Sequence, residues 1–323
     1  MCLLLFFEKA LAGKEELQRA RQKVYLLIRK VQLPFHFVEA VFLLPEKVKV
    51  SLKEENRMTM SALIRDVEAK LGRKMEAEVV VKNGVELEGI RLSGETFTPI
   101  VYPGEFPEEM EYAEMVNTIC EAFEEFLKEK GSGTAVESFQ KYISEKEFLM
   151  ENIYVGMQRS GSEDIVKRES EFPGIEEYLH VRQDVSDGCY SAKVKEEILK
   201  NAGVTLAEAW TAAEKNTAEE AVITPMSEML GLPDLSNAMF ILTNTGGLKG
   251  ASSIIAKSKI KEVANSIGVE RFVALPSSIH EWILVPHQDG EDMSSFDEMV
   301  LCANKEAVDE KDQLADRAYV LEF

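Results

Sequence analysis

The densest grouping of side chains that could do chemistry is Ser277-Ser278-Ile279-His280-Glu281. A hydroxyl, an imidazole and a carboxylate are the parts of a nucleophile–base–acid triad. They stand at the head of an apolar strand, beside a turn of the kind that often carries sites. The spacing opposes assembly: on an extended chain Ser278 and His280 share a side but lie ~7 Å apart by strand rise, too far for a direct hydrogen bond without a bend. The competing reading is a histidine bonding backbone at a hairpin end. Ser278, His280 and Glu281 are catalytic candidates only if the fold brings them together.

The second grouping is the glycine-rich run from Thr243 to Ser252. Backbone N–H groups of such loops can cradle phosphate, which makes Asn244, Gly246, Gly247, Gly250 and Ser252 the candidate cofactor-binding residues. The run fits neither GxxxxGK[ST] nor GxGxxG, and no helix clearly opens at Ser252. A mobile connection using glycine for positive φ is the plainer alternative. Elsewhere the chemistry thins out. Cys2, Cys120, Cys189 and Cys302 are far apart, with no CxxC or Cys/His cluster, which points away from a disulfide framework or zinc site and towards a reducing compartment. Cys120 and Cys302 fall on apolar helix faces, and Cys189 has no nearby base. His180 and His287 stand alone, and Glu121, Glu124, Glu125 and Glu129 read as a solvated helix face. No metal and no cofactor is expected.

These residues need elements to position them. Residues 58–133 read as an α-β-β-β-α module. Its first helix is Ser61–Leu71, closed by Gly72, and a hairpin Glu78–Val81/Glu86–Leu92 turns at Asn83-Gly84. A third strand, Thr98–Tyr102, and a helix from Pro107 to Lys130 with an apolar stripe through Met115, Ile119 and Phe123 complete it; Gly131-Ser132-Gly133 is a break. This order resembles that of double-stranded-RNA-binding domains without their basic helix, and topology alone does not carry function. Residues 134–238 read as a mixed α/β middle segment. Phe139–Met157 looks helical and then β-prone, Tyr178–Val185 pairs with Gly188–Val194, and helices follow at Lys195–Asn201 and Thr205–Lys215, the latter capped by Thr205 with Glu208 three on. Residues 239–323 give strand Met239–Thr243, helix Lys257–Ile267, strands Phe272–Leu275 and Glu281–Val285, helix Ser295–Asn304 and strand Arg317–Leu321. That order is the βαββαβ, ferredoxin-like arrangement, whose two helices can cover one face of an antiparallel sheet. The fold class is α+β.

Charge divides the chain differently. The net charge of -20 is not spread evenly: residues 1–57 hold 11 basic and 7 acidic residues, and the remainder 26 basic and 50 acidic. The acidic majority repels phosphate backbones and anionic lipid, so neither nucleic acid nor membrane is expected as a partner. No run approaches the ~18 apolar residues of a membrane span, and Cys2–Phe7 is too short for a secretory leader. Residues 1–57 carry no clear period, and Pro34 and Pro45 interrupt them. The run Lys53-Glu54-Glu55-Asn56-Arg57 has codons that can be almost wholly purine, as a ribosome-binding sequence would be. The expected natural start is therefore Met58 or Met60, with a real basic N-terminal extension as the alternative; intact mass from the native host separates the two.

Several stretches carry a family resemblance. Lys82-Asn83-Gly84-Val85-Glu86-Leu87-Glu88-Gly89-Ile90 and Thr98-Pro99-Ile100-Val101-Tyr102 resemble the "KNNGV-L-G" hairpin and "SPTIYL" run of an uncharacterised family common in clostridial gut bacteria. Ala213-Glu214-Lys215-Asn216-Thr217, Ile241-Leu242-Thr243-Asn244, Gly250-Ala251-Ser252, Leu275-Pro276-Ser277-Ser278-Ile279-His280-Glu281 and Leu314-Ala315-Asp316-Arg317-Ala318-Tyr319 are similar to its "A-x-x-NT", "LTN", "GA", "LPSSIHE" and "LSD-x-VY" segments. The chain departs from it by one asparagine in the hairpin, and residues 1–57 have no counterpart. A more distant likeness runs to another uncharacterised family of low-GC Gram-positive bacteria. The resemblance covers about 58–323 and implies a cytoplasmic bacterial protein; it supplies no activity. With no assembled nucleophile, base and oxyanion donor, the expectation is a non-catalytic interaction or regulatory protein with a protein partner, acting through a face of the C-terminal sheet and the loop 244–252. The alternative is a small-molecule or nucleotide-binding enzyme centred on that loop and His280. Oligomeric state is not readable.

Overall fold

The computed structural model describes residues 59–94, 98–107, 110–130, 139, 141–185, 188–230, 239–287 and 292–323. They mix helices with antiparallel sheets, an α+β fold, and fall into two compact units that meet in sequence at Lys141/Tyr142. The expectations for residues 1–57 and for the Gly131–Gly133 break lie outside the described residues.

In the first unit, helix α1 (Met60–Leu71) starts where the Thr59 hydroxyl accepts the Ala62 N–H at 3.2 Å. Strands β1 (Met75–Lys82) and β2 (Val85–Leu92) follow, joined by Asn83 (φ 51) and Gly84 (φ 82). Two left-handed residues in succession give the turn whose twist matches the strands it joins. Helix α2 (Tyr112–Lys130) lays Ile119 and Phe123 onto Leu63 and Val67 of α1 and onto Ile90 and Leu92. The expected third strand shrinks to one bridge, Ile90 with Val101, bonded N–H to carbonyl both ways at 2.8 and 3.0 Å. Pro99 and Pro103 flank that bridge and have no N–H for a ladder, so pairing cannot spread.

The second unit builds two sheets. Helix α3 (Lys146–Asn152) runs into β3 (Ile153–Arg159); β4 (Lys167–Glu169), β5 (Ile175–Val185) and β6 (Gly188–Lys193) follow. Strand β5 is central, with β3 on one edge and β4 and β6 on the other. Helices α4 (Glu196–Asn201) and α5 (Leu206–Glu220) come next, α5 opening on a capping box of Thr205 and Glu208. It runs five residues beyond the expected Lys215 and gives directly onto β7 (Ala221–Pro225), then α6 (Met226–Leu230).

The remaining elements are β8 (Phe240–Asn244), a 3-10 turn over Gly250–Ile255, α7 (Lys257–Ile267), β9 (Arg271–Ser278), β10 (Glu281–Pro286), α8 (Met293–Ala307) and β11 (Tyr319–Glu322). The β-α-β-β-α-β succession is present, but the sheet is five-stranded, β11-β9-β10-β8-β7. The last strand pairs with β9, and β7 takes the outer edge of β8. The two helices do not share a face. Phe272, Ala274, Trp282 and Leu284 point to the side of Ile260 and Ala264 from α7, whereas Val273, Leu275 and Ile283 meet Phe296 and Val300 from α8. The reason is compositional: Phe240-Ile241-Leu242, Phe272-Val273-Ala274-Leu275 and Trp282-Ile283-Leu284 are apolar at every position, and such strands need cover on both sides.

Met157, Phe172 and Ile175 of the first sheet join the α7 side of that core, so residues before and after 238 build one interior. At its centre Phe172, Trp282 and Tyr319 stack with ring centroids 5.0–5.9 Å apart. Each such buried ring contributes ~2–3 kcal/mol by area removed from water.

Candidate functional site

The β9–β10 turn carries His280, and nearly every polar atom there is committed to backbone. A bulge helps to set this up: Trp282 opposes Pro276 while Glu281 opposes Ser278, so Ser277 has no residue opposite it, and its hydroxyl donates to the Glu281 carboxylate at 3.0 Å. The Ser278 hydroxyl accepts the His280 N–H at 3.1 Å. The imidazole Nδ1 accepts the Lys249 N–H at 3.0 Å, and Nε2 faces the Asp312 carboxylate at 3.7 Å. Ser278, His280 and Glu281 are thus neighbours, yet Ser278 is bonded to the backbone of His280 and not to its ring.

The loop 244–252 wraps over the same turn. The Gly247 N–H donates to the Asn244 carbonyl, the Lys249 N–H to His280 and the Ala251 N–H to the Ile279 carbonyl, at 3.0–3.2 Å. These amides face the protein, the opposite of a phosphate cradle. Gly250 is required by close approach: a Cβ there would collide with the Thr243 hydroxyl, sit 2.6 Å from the His280 carbonyl oxygen and sit 2.7 Å from the Asn244 nitrogen. Asn244 donates to the Leu248 carbonyl at 2.9 Å, and Ser252 is buried with its hydroxyl towards the Lys249 carbonyl at 3.3 Å. Gly246 has an open surround. Trp282 pins the segment from below, its indole N–H donating to the Ala251 carbonyl at 2.8 Å.

One residue of the loop behaves differently. Lys249 is left-handed (φ 54) without being glycine, a conformation that costs an L-residue ~1–2 kcal/mol. Its backbone serves His280, while its ammonium reaches across to the exposed Ser191 hydroxyl on β6 at 3.0 Å. Ser191 belongs to a polar face that the period-two alternation of β5 builds. Leu179 and Val181 point to the core, and Tyr178, His180 and Arg182 point the other way, opposite Tyr154 of β3 and Ser191 and Lys193 of β6. Arg182 lies over the Tyr154 ring at 4.5 Å and pairs with Glu220 at 2.7 Å. Lys193 donates to Gln158 at 2.8 Å and Glu163 at 2.6 Å, beside the ring of Tyr178.

His180 sits in the middle of this face, 3% exposed. Burial first, then the charges of Lys249 and Arg182, with Lys193 adding a smaller push, hold its imidazole well below the usual histidine range; a bond with the Val155 backbone opposes them only in part. Its Nδ1 lies 3.5 Å from the Ser191 hydroxyl, a serine–histidine pair on paper. A general base must accept the proton, and here that would put another positive charge into a buried site already ringed by three cations. The ring orients Ser191 but is a poor base for it. Behind it, a polar cavity of about 10 Å3 is lined by Tyr154, His180, Thr217, Asn244, Lys249 and Ser252, among others. That is room for about one water molecule. The Asn244 Oδ1, buried and without a hydrogen-bond partner, lies on the same residue that lines it.

The sequence singled out His280 and the loop and set His180 aside as isolated. The alternation Tyr178-Leu179-His180-Val181-Arg182 was the available signal for the polar face; which strand would bring Ser191 beside it, and which loop Lys249, was not written there. Among the described residues no group of three or more His, Cys, Asp or Glu could hold a metal ion, and no helix is long and apolar enough to cross a membrane. Neither the curated proteins nor the solved structures contain a match to this chain. Residues 58–322 do match a family of unknown function, DUF5688, and the chain belongs to that family.

Proposed function

We propose that this is a non-catalytic interaction protein that receives an extended segment of a protein partner along the outer edge of β11. The observation that carries this reading is the open depression of about 390 Å3 beside Tyr319–Glu322, lined by Lys257, Ser258, Lys261, Val320, Glu322 and Phe323. Both faces of the five-stranded sheet are covered, so a partner cannot use a face, and recognition falls to an edge. The opposite edge, β7, is less open: it ends at Pro225, and the Lys259 ammonium takes the Ala221 carbonyl at 2.8 Å. Lys257 is paired with Glu171, and Glu322 with Arg271 at 3.3 Å, whereas Lys261 has no such partner. The groove therefore suits a strand with an apolar residue for Val320 and a carboxylate for Lys261 and Ser258.

In this reading Ser278, His280, Glu281, Asn244, Gly246, Gly247, Gly250 and Ser252 shape the corner and react with nothing. The net charge of -20 supports a protein partner over nucleic acid, and the free thiols of Cys120 and Cys302 fit a reducing, cytoplasmic setting. A display library of short extended peptides, selected against the whole chain, tests it. Binders should combine β-branched residues with an acidic one, and should lose at least about tenfold in affinity on Val320→Asp and on Lys261→Glu. Binders indifferent to both substitutions would sink the proposal.

A further inference from the structure

The ammonium of Lys249 and the hydroxyl of Ser191 lie 3.0 Å apart at the surface of an otherwise anionic chain, and the groups behind them are arranged to favour negative charge. We propose that they form a binding site for a phosphoryl oxyanion, either free phosphate or the phosphate of a small monoester, independent of the β11 edge. Four observations converge on it. Lys249 occupies a left-handed position between Leu248 and Gly250 that a glycine would fill without strain, so the lysine side chain is what the position gains. Ser191 is exposed, and its O–H points towards His180, from which it can turn to a ligand oxygen.

His180 is held neutral, so it adds no competing charge and takes no proton from Ser191. Arg182, directly opposite Ser191 in the strand register, and Lys193, opposite His180, bring two more cations to the same face. Glu220 and Glu163 each neutralise one of them, at 2.7 and 2.6 Å, and the face still carries one more cation than carboxylate through Lys249. The cavity of about 10 Å3 behind His180 is too small for the anion, which must sit outside it against Ser191 and Lys249. This site uses the side chain of the glycine-rich loop and none of its inward-facing amides.

The test is a titration of the whole chain with inorganic phosphate and, in parallel, with phosphoethanolamine, following the amide signals of Ser191 and Lys249 by NMR. Saturable shifts at both are expected. Lys249→Gly removes the ammonium while relieving the left-handed backbone, so it should fold normally and bind at least about tenfold more weakly, the effect of losing one charge-assisted hydrogen bond. Ser191→Ala should weaken binding less, and Lys215→Met, the same charge change on the exposed face of α5, should not alter it. Tighter binding of the ester assigns the site to a larger phosphorylated ligand, and equal binding assigns it to the free anion. Absent shifts with either probe, or full affinity retained by a folded Lys249→Gly chain, would overturn the assignment.

Discussion

His280 and His180 stand on either side of Lys249, one bound to its backbone and the other close to its side chain, and the protein treats them in opposite ways. His280 is partly exposed at a turn; its Nδ1 is a hydrogen-bond acceptor for a backbone N–H, and its Nε2 faces a carboxylate. It is a joint in the scaffold. His180 is buried on a polar sheet face among three cations, which keep it neutral. The same ring thus acts as a clamp in one place and as an uncharged floor under charged groups in the other. Residue type and a nearby hydroxyl do not separate the two roles; what faces each nitrogen does.

The comparison can be broken most forcefully at the anchor of the His280 corner. Trp282→Ala removes a fully buried indole together with its bond to Ala251, and should cost about 4 kcal/mol of stability in urea unfolding. A loss below about 1 kcal/mol would show that the corner is not part of the cooperative fold. Gly250→Ala comes next. Its new Cβ meets backbone at 2.6 and 2.7 Å and cannot be accommodated without moving β8 or the turn, so about 3 kcal/mol is expected in the same assay.

The His180 side is sharpened by pH. Its folded pKa lies below the unfolded value of 6.5, so the unfolded chain binds the proton first. The associated stability is complete above 6.5 and drains away as pH falls towards the folded value. His180→Gln should flatten the stability profile in that window, and an unchanged profile would mean that the ring is not held neutral. A second acid window belongs to neither histidine. The Glu208 carboxyl is pulled down to about 2 by its bonds to Thr205 and then by Lys146, so its contribution is present above 4.5 and is lost as pH falls towards 2. Thr205→Ala, which opens that capping box, should cost about 1 kcal/mol and leave the His180 window untouched.

Local signals were legible where the chain's own neighbours decide the structure. Asn83-Gly84 announced its hairpin, Thr205 with Glu208 its helix start, and Gly268 a helix end, because turns and caps are made by residues a few positions apart. The third strand of the first unit failed because two prolines outweighed a β-prone composition at Val101. Strand β7 was missed because Ala221–Pro225 looks like the continuation of a helix until β8 offers it a ladder. At the candidate site the sequence found the loop and His280, which lie near one another only after folding, and overlooked Ser191, whose partners are 11 and 58 positions away.

By itself the sequence determined the α+β class, the turns and caps, the acidic surface and, through strands apolar at every position, the need for cover on both sides of the C-terminal sheet. The tertiary structure alone decided which edge of that sheet stays open, which histidine is buried among cations and which hydroxyl Lys249 touches. Those outcomes depend on pairings between distant segments, and strand order is set by the packing of whole faces, to which single residue types and their spacing contribute only in sum.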